Sequence, residues 1–437
     1  MKYRVLALAC SALVFLPGGI VAEVPSVIAI RGARIVTVSG PVIPRGTVIL
    51  RDGLIEAVGD AQPPPEAWVI DGEGLTVYPG LLDALSTLGL PDMPRLNGTG
   101  RPNAARPRSA PAPARGPEDR PLNTSYLRAA GELSLTDRRL EAARNAGFTG
   151  AVTFPTEGVF AGLGAVIDLA GKRPGEMVVQ SPAGLYLTMY NGGFGTGYPS
   201  SLMGVIAYIR QIYLDAGQYK AARDIYAAHP NGLKRPGYDK WLEGVLEAPR
   251  VLLPANDPKE FERMLRLGEE LNLQVLLYGL AEGFRAPEIL RKHNARVLVN
   301  LRWPEKPRGA DPEAEETLRV LETRDLAPST PAALVKAGVK FAFYAGALEK
   351  PADLAPAVRR AMIAGLSHDD AVRAMTLNVA ELYGVADRLG SVEKGKIANL
   401  VVTRGDLFRD KTEVKYVFVD GMKYEPETPA PAAEVTR

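Results

Sequence analysis

The feature that most constrains the fold is a repeated alternation of apolar strands with helical stretches, which begins at Thr76. Buried-type strands are predicted at 147–154, 250–253, 274–278, 295–301 and 339–344. Helices are predicted at 202–226, 259–271, 285–292, 330–336, 353–364 and 368–383. Because the strands are almost continuously apolar, we expect them to be buried on both faces. Strand–helix units repeated on this scale predict an α/β fold, with a parallel sheet or barrel and helices outside.

Short strands and tight turns lie on both sides of this region. Residues 28–38 are β-branched and apolar, and two further strands are predicted around Asp52-Gly53, a dipeptide typical of hairpin turns. Strands return at 398–403 and at 412–419, and the turn Asp420-Gly421 follows the second of them. Both ends of the chain are therefore predicted to be β-structure.

Length and charge limit the classes of protein to consider. The chain has 437 residues, enough for one large α/β domain and a smaller one, and its 46% hydrophobic content argues against global disorder. The formal net charge is +2, and loss of Lys2 and Arg4 would leave 50 basic against 50 acidic residues. A neutral mature chain argues against a nucleic-acid-binding protein.

The first residues have the pattern of an export signal. Lys2 and Arg4 precede an apolar run at 5–15, which Pro17-Gly18-Gly19 interrupts, and Ala22 is a suitable cleavage position. We therefore expect residues 1–22 to be a signal peptide and the mature protein to be periplasmic or secreted, with no membrane attachment. A membrane anchor is the alternative, but the run is short for a span of about 20 residues.

The cysteine of this chain, Cys10, lies within the expected signal peptide. Acylation of Cys10 is a weaker alternative, because Ala7-Leu8-Ala9 matches a lipoprotein signal poorly. Cys10 is the one cysteine of the chain, so cleavage after Ala22 would exclude disulfides and thiolate chemistry from the mature protein.

Two segments have compositions that do not support a packed core. Residues 91–121 are rich in Pro, Ala, Gly and Arg, and residues 426–437 are rich in Pro, Ala and Glu. Both are predicted to be disordered. The first follows the entry strand, where it is either a tolerated insertion or a lid or docking arm that uses its arginines.

Four sequence segments together carry a family resemblance: 46–59, 69–84, Thr376-Leu377-Asn378-Val379-Ala380 and 389–402. In this order they resemble the amidohydrolase superfamily, in its imidazolonepropionase-like and dihydroorotase-like branch. The resemblance implies a (β/α)8 TIM-like barrel over 79–385. It also implies a small β-sandwich domain built from 23–78 and 386–425.

The resemblance does not extend to the metal ligands of the superfamily. Its His-x-His pair would follow the entry strand, where this chain has Leu85 and Thr87, and its late aspartate would stand at Gly346. The chain has three histidines, predicted to be solvent-exposed or capping residues at helix ends: His229, His293 and His368. Zinc usually needs three or more protein ligands, so we predict no metal and no cofactor.

Polar residues near the predicted strand ends are the remaining site candidates. Asp83 is a weak catalytic candidate, and a local hydrogen-bonding role near the strand end is the favoured explanation for it. The pocket candidates are Ser86, Thr87, Thr153, Asn256, Tyr278, Asn300, Arg302 and Tyr344. Arginine suits a carboxylate and tyrosine suits a mixed polar and apolar ligand, although core packing also explains the tyrosines. The glycine-rich loop 191–200 before a helix is either an anion site or a mobile loop.

These observations predict an exported amidohydrolase-like pseudoenzyme. It would bind a small molecule or peptide in the former active-site pocket, or form a homo-oligomer, or pair with an active amidohydrolase. The alternative is an active hydrolase of C–N bonds in cyclic amides or peptides, metal-free or with ligands that the motifs do not reveal. A binding protein for an exported metabolite is a third possibility.

Overall fold

The structure is a computed structural model, and it describes residues 26–91, 116–189, 198–307, 309, 311, 313–348, 350–409 and 412–426. The expected signal peptide, most of segment 91–121, most of loop 191–200 and nearly all of the tail lie outside these residues. Expectations about those parts of the chain therefore remain predictions.

The strands in chain order are β1 Val27–Ile35, β2 Ile43–Arg51, β3 Leu54–Gly59, β4 Trp68–Asp71, β5 Leu75–Pro79, β6 Leu81–Ser86, β7 Phe148–Thr153, β8 Phe160–Leu163, β9 Ala165–Asp168, β10 Val178–Gln180, β11 Leu185–Leu187, β12 Val251–Ala255, β13 Val275–Gly279, β14 Arg296–Asn300, β15 Phe341–Tyr344, β16 Leu400–Arg404, β17 Glu413–Val419 and β18 Met422–Tyr424. Every strand predicted above corresponds to one of these elements, within a few residues at each end.

The α-helices are α1 Arg139–Asn145, α2 Leu202–Ala228, α3 Lys240–Glu247, α4 Pro258–Glu270, α5 Pro287–Lys292, α6 Leu318–Leu326, α7 Thr330–Ala337, α8 Leu354–Ile363, α9 His368–Ala374 and α10 Leu377–Tyr383. Short 3-10 helices lie at Pro117–Asp119, Ala129–Gly131, Pro174–Met177, Gly283–Arg285, Ala327–Ser329 and Pro351–Asp353. In the part of the chain that the structure describes, no helix combines the length and the apolar character that crossing a membrane requires.

Both ends of the chain contribute to one eight-stranded sheet. Its order is β18-β17-β16-β5-β1-β2-β3, with β4 also paired to β1. The antiparallel pairing of β5 with β16 joins the N-terminal strands to the C-terminal ones. The predicted hairpin at Asp52-Gly53 is confirmed as the connection between β2 and β3. These pairings form one sheet and do not in themselves give the two packed sheets of the predicted sandwich.

The middle of the chain is a mixed α/β region with two more sheets. The orders are β15-β14-β13-β12-β11-β8 and β10-β9-β7-β6. Strands β11 to β15 are parallel and largely buried, and α4, α5 and α7 lie on the connections between them. The predicted α/β class is therefore confirmed, whereas the strand pairings do not close into one barrel.

The departure from a regular barrel lies at residues 154–187. A parallel crossover needs a dozen or more residues, but only Gly164 separates β8 from β9. The chain instead makes antiparallel pairs, β9 with β7 and β8 with β11. This change from parallel to antiparallel pairing divides the ten strands of the middle region between two sheets.

One predicted helix is two helices. The stretch 368–383 breaks between α9 and α10, where Thr376 has the non-helical angles φ −135 and ψ −94. Its hydroxyl donates to the Val372 carbonyl at 2.7 Å, which satisfies the end of α9. Asn378 then donates from Nδ2 to the Phe341 carbonyl at 2.8 Å and ties α10 to β15.

Candidate functional site

A cavity of about 240 Å³ lies where β6 and β15 end, beside α1. Its lining residues are Asp83, Ser86, Thr87, Leu88, Arg138, Arg139, Ala142, Ala143, Phe148, Ala345, Gly346, Leu348, Lys350 and Pro351. The ends of parallel strands are where α/β proteins usually place their sites. The cavity is therefore the candidate functional site.

Asp83 joins the two strands at the back of this cavity. Its side chain is buried in β6, and Oδ1 accepts from the backbone N–H of Ala345 at 2.9 Å and of Leu85 at 3.3 Å. Burial raises the pKa of Asp83 to about 7, and the backbone donors offset only part of that effect. The carboxyl therefore holds β6 beside β15, in addition to lining the cavity.

The loop after β6 is held by Arg139 at the start of α1. The Arg139 guanidinium donates to Thr87 Oγ1 at 2.9 Å, to the Thr87 carbonyl at 2.7 Å and to the Leu90 carbonyl at 2.8 Å. It also pairs with Asp137, whose Oδ2 accepts from the Gly89 N–H at 3.0 Å. Burial opposes the charge of Asp137, but Arg139 and the backbone donors hold its pKa below the usual range.

Polar groups and cations meet at the cavity. Ser86 and Thr87 are almost fully buried, at 1% and 4% exposure, whereas Arg138 and Lys350 are exposed beside them. Neither Arg138 nor Lys350 makes an ion pair with an acid among the residues that the structure describes. The cavity thus presents two hydroxyls and two available positive charges, and its other walls are largely apolar.

The cavity does not supply the donors that zinc needs. Leu85 is fully buried in an apolar cluster, the Thr87 hydroxyl already accepts from Arg139, and Gly346 has no side chain. Among the described residues that line the cavity, Asp83 is the one carboxylate. Across the described ranges, no group of three or more His, Cys, Asp or Glu side chains is placed to hold an ion. The donor set therefore does not fit a catalytic zinc ion.

The predicted pocket tyrosines lie in the core instead of lining this cavity. Tyr278 and Tyr344 are each 2% exposed. The ring of Tyr278 lies 5.0 Å from that of Tyr186, and its hydroxyl donates to the Leu187 carbonyl at 3.0 Å. The ring of Phe154 lies 5.9 Å from that of Tyr186. Aromatic packing fills the space between the strands at this point.

The other predicted candidates are also outside the cavity. Thr153 is buried, and its hydroxyl has no hydrogen-bond partner in the described structure. Asn300 Oδ1 accepts from the Arg302 N–H at 2.9 Å, which shapes the turn after β14. The Asn256 N–H donates to Glu260 Oε2 at 2.6 Å, at the start of α4. Of the eight pocket candidates, Ser86 and Thr87 line the cavity.

The three histidines lie at helix ends, as predicted, and none lines the cavity. His229 follows α2 and is exposed, whereas His293 follows α5 with Nδ1 at 2.6 Å from Glu269. His368 begins α9, and its Nε2 lies 2.9 Å from the Leu407 carbonyl. No imidazole is therefore placed beside Ser86 to act as a base.

Arg138, Arg139 and Lys350 were not among the sequence candidates. The sequence shows the run Thr136-Asp137-Arg138-Arg139 where a short helix begins, but this run alone does not place the two arginines at the cavity. Lys350 lies just beyond β15 and becomes a neighbour only through folding.

Comparisons with known proteins agree with this architecture. The Amidohydrolase family model matches residues 324–423. A solved amidohydrolase from Thermotoga maritima MSB8 is 22% identical, with a TM-score of 0.74 over 91% of this chain and 100% of that one. A solved prolidase complexed with N-methylphosphonate-L-proline is 17% identical, with a TM-score of 0.53 over 92% and 100%.

A comparison with curated protein sequences gives no match. The identities to the solved structures are low enough that these likenesses establish the fold alone. The chain therefore has the fold of solved amidohydrolases, and residues 324–423 carry the signature of the amidohydrolase family.

Proposed function

We propose that this chain is an amidohydrolase-fold binding protein that takes a small carboxylate at the β6–β15 cavity and does not hydrolyse amides by a zinc-dependent route. The observation that carries the proposal is the placement of Arg138 and Lys350, which form no ion pair with a described acid, beside the hydroxyls of Ser86 and Thr87. We further propose that the inner strands are an incomplete (β/α)8 barrel of the imidazolonepropionase-like and dihydroorotase-like branch.

The chemistry of the cavity favours an anion with an apolar part. A guanidinium offers two parallel donors to a carboxylate, and a lysine adds a point charge. Ala142, Phe148 and Leu348 supply apolar walls. The volume of about 240 Å³ is below the range of drug-sized pockets, which favours a ligand the size of an amino-acid derivative.

Asp83, the buried acid at the back of the cavity, is compatible with an anionic ligand. Because burial raises the pKa of Asp83 to about 7, its carboxyl is neutral at mildly acidic pH and does not repel a carboxylate. Hydrolysis lacks comparable support. The Ser86 hydroxyl accepts from the Leu88 N–H at 3.3 Å, and no imidazole among the described residues is placed to take its proton.

Calorimetric titration with N-acyl amino acids and with the matching uncharged amides tests the proposal. We expect the carboxylates to bind and the amides to bind weakly or not at all. Arg138→Ala or Lys350→Ala should weaken binding roughly fivefold, since an exposed ion pair contributes about 1 kcal/mol. Arg263→Ala, which removes an exposed arginine from α4, is the matched control and should leave affinity unchanged. Equal binding of acids and amides would contradict the proposal.

A second candidate is hydrolysis of C–N bonds in cyclic amides or peptides, which the likeness to a solved prolidase supports at the level of fold. Incubation of the purified chain with dipeptides that end in proline, with and without added zinc, separates the two candidates. Turnover that a chelator abolishes would favour the hydrolase, whereas unchanged dipeptide would favour the binding protein.

We also propose that the protein is exported and cleaved after Ala22, on the composition of residues 2–22. N-terminal sequencing of protein recovered from the periplasm would then begin at Glu23. Recovery of the uncleaved chain in the cytoplasm would contradict export.

A further inference from the structure

One side of the long helix α2 is exposed, with none of the described residues packed against it. At about 100° per residue, its buried residues fall in one sector of the helix surface: Val205, Tyr208, Ile209, Ile212 and Ala216. Within the opposite sector, the residues that we call the outer face of α2 are Met203, Ala207, Arg210, Leu214, Gly217, Ala221, Ile225 and Ala228, all of them exposed, and the exposed Gln218 lies at the edge of this face. Seven of these eight residues are apolar.

The outer face exposes three large apolar side chains in one line along the helix. Met203 is 82% exposed, Leu214 63% and Ile225 57%. They are spaced eleven residues apart, or three turns, so they lie above one another along about 35 Å of helix. Single exposed apolar residues are common, but an ordered row on one helix face is typical of a contact surface.

We propose that the outer face of α2 packs against the same face of a second copy of this chain, with the two helices antiparallel about a two-fold axis. The axis passes between Leu214 and Gly217, so that each of these residues faces the other on the second copy. Met203 then faces Ala228, and Ala207 faces Ile225. Large residues meet small ones throughout, which lets the two helices approach closely.

Charge also favours the antiparallel pairing. Arg210 would face Ala221 and lie within one turn of Asp224 of the second copy, and the two-fold axis makes this pair twice. In the structure Arg210 pairs with Glu270 at 2.7 Å and Asp224 with Lys220 at 2.6 Å, in side chains that are about half exposed. A parallel pair would instead place Arg210 against Arg210, which repels.

Sedimentation equilibrium of the full chain tests the inference, which is independent of ligand binding at the cavity. We expect a dimer for the wild-type chain. Leu214→Glu should weaken it by roughly thirtyfold or more, as loss of a central contact residue does. Ile363→Glu, at an 86% exposed position on α8, is the matched control and should remain a dimer. A wild-type monomer, or a dimer that Leu214→Glu leaves unchanged, would overturn the proposal.

Two further experiments, each with a control variant, test the antiparallel geometry of the two α2 helices. Asp224→Lys should weaken the dimer by opposing Arg210, whereas Asp215→Lys, the same charge change beside the outer face, should not. In a Cys10→Ser background, Met203→Cys combined with Ala228→Cys should oxidise to a covalent dimer, and Met203→Cys alone should not. Cross-linking by Met203→Cys alone would overturn the antiparallel arrangement.

A monomer that binds phosphatidylglycerol vesicles through Leu214 would overturn the dimer and assign the outer face of α2 to membrane binding.

Discussion

Two strand carboxyls, Asp83 and Asp168, are buried and accept hydrogen bonds from neutral donors. Asp168 Oδ1 accepts from Asn399 Nδ2 at 2.6 Å, and Asp83 accepts from backbone N–H groups. Burial raises the pKa of each carboxyl to about 7, and for Asp168 the nearby Asp420 adds to the effect. Neutral donors do not offset the cost of burying a charge, so both groups favour their protonated forms.

Stability should therefore fall as pH rises through this window. In the unfolded chain an aspartate ionises near pH 4, so the stabilising contribution of each protonated carboxyl is complete below that pH. It is lost between about pH 4 and 7, at up to about 1.4 kcal/mol per pH unit for each group. Urea unfolding of Asp83→Asn or Asp168→Asn should show a variant-minus-wild-type difference that increases with pH. A difference that stays constant would contradict the assigned pKa values.

Adjacent arginines at the start of α1 should have unequal effects on stability. Arg139→Ala removes the donors to Thr87 and Leu90 and leaves the buried Asp137 without its cation. We expect a loss of about 3 kcal/mol in the free energy of unfolding. Arg138→Ala is the matched control, because Arg138 is exposed and should change stability by less than about 0.5 kcal/mol. Equal losses of unfolding free energy in the two variants would contradict the role of Arg139 in holding the loop after β6.

At the scale of elements, the junction between β5 and β6 links the eight-stranded sheet to the strands of the site. Gly80 lies there, and its N–H donates to the Asn399 carbonyl at 2.8 Å. A β-carbon on Gly80 would lie 2.0 Å from Thr149 Oγ1 and 2.6 Å from Thr149 Cβ. Thr149 is itself fully buried in β7, so it has little room to move.

Gly80→Ala should consequently destabilise the protein by about 2 kcal/mol or more, as overpacking of a buried site does. Gly175→Ala is the matched control, since a β-carbon at Gly175 meets no atom within 4 Å. The Gly80→Ala variant should unfold at a clearly lower temperature than the Gly175→Ala variant. A Gly80→Ala protein as stable as the control would contradict the close approach of β5–β6 and β7.

Elements with strong local signals could be predicted from the sequence. The apolar runs of β12 to β15 and the Asp52-Gly53 hairpin depend on neighbouring residues, and they appear where expected. The helix break at Thr376 and the antiparallel turn at Gly164 depend on packing and chain direction. The helical period of the sequence continues across Thr376, so the break does not show there. Each of the four short strands β8 to β11 has too few residues to show a strand period.

At the scale of the whole molecule, a fold shared with solved amidohydrolases contains a cavity lined by Asp83, two hydroxyls and basic side chains. Asp83, Ser86 and Thr87 could be predicted near the cavity because they lie in, or directly after, the same strand β6. Arg138 and Lys350 could not, because they come from segments separated by more than 200 residues. The tyrosines Tyr278 and Tyr344 could not be assigned between pocket and core, because alternation in a doubly buried strand does not distinguish its two faces.

The measurement that tests the account most directly is the zinc content of the purified mature protein after incubation with excess zinc and desalting, by elemental mass spectrometry. The donor set at the cavity predicts far less than one zinc ion per chain. Asp83→Asn should give the same value, because no zinc would depend on Asp83, the one carboxylate among the described lining residues. One retained zinc per wild-type chain, lost in Asp83→Asn, would contradict the central claim that this cavity is not a metal site.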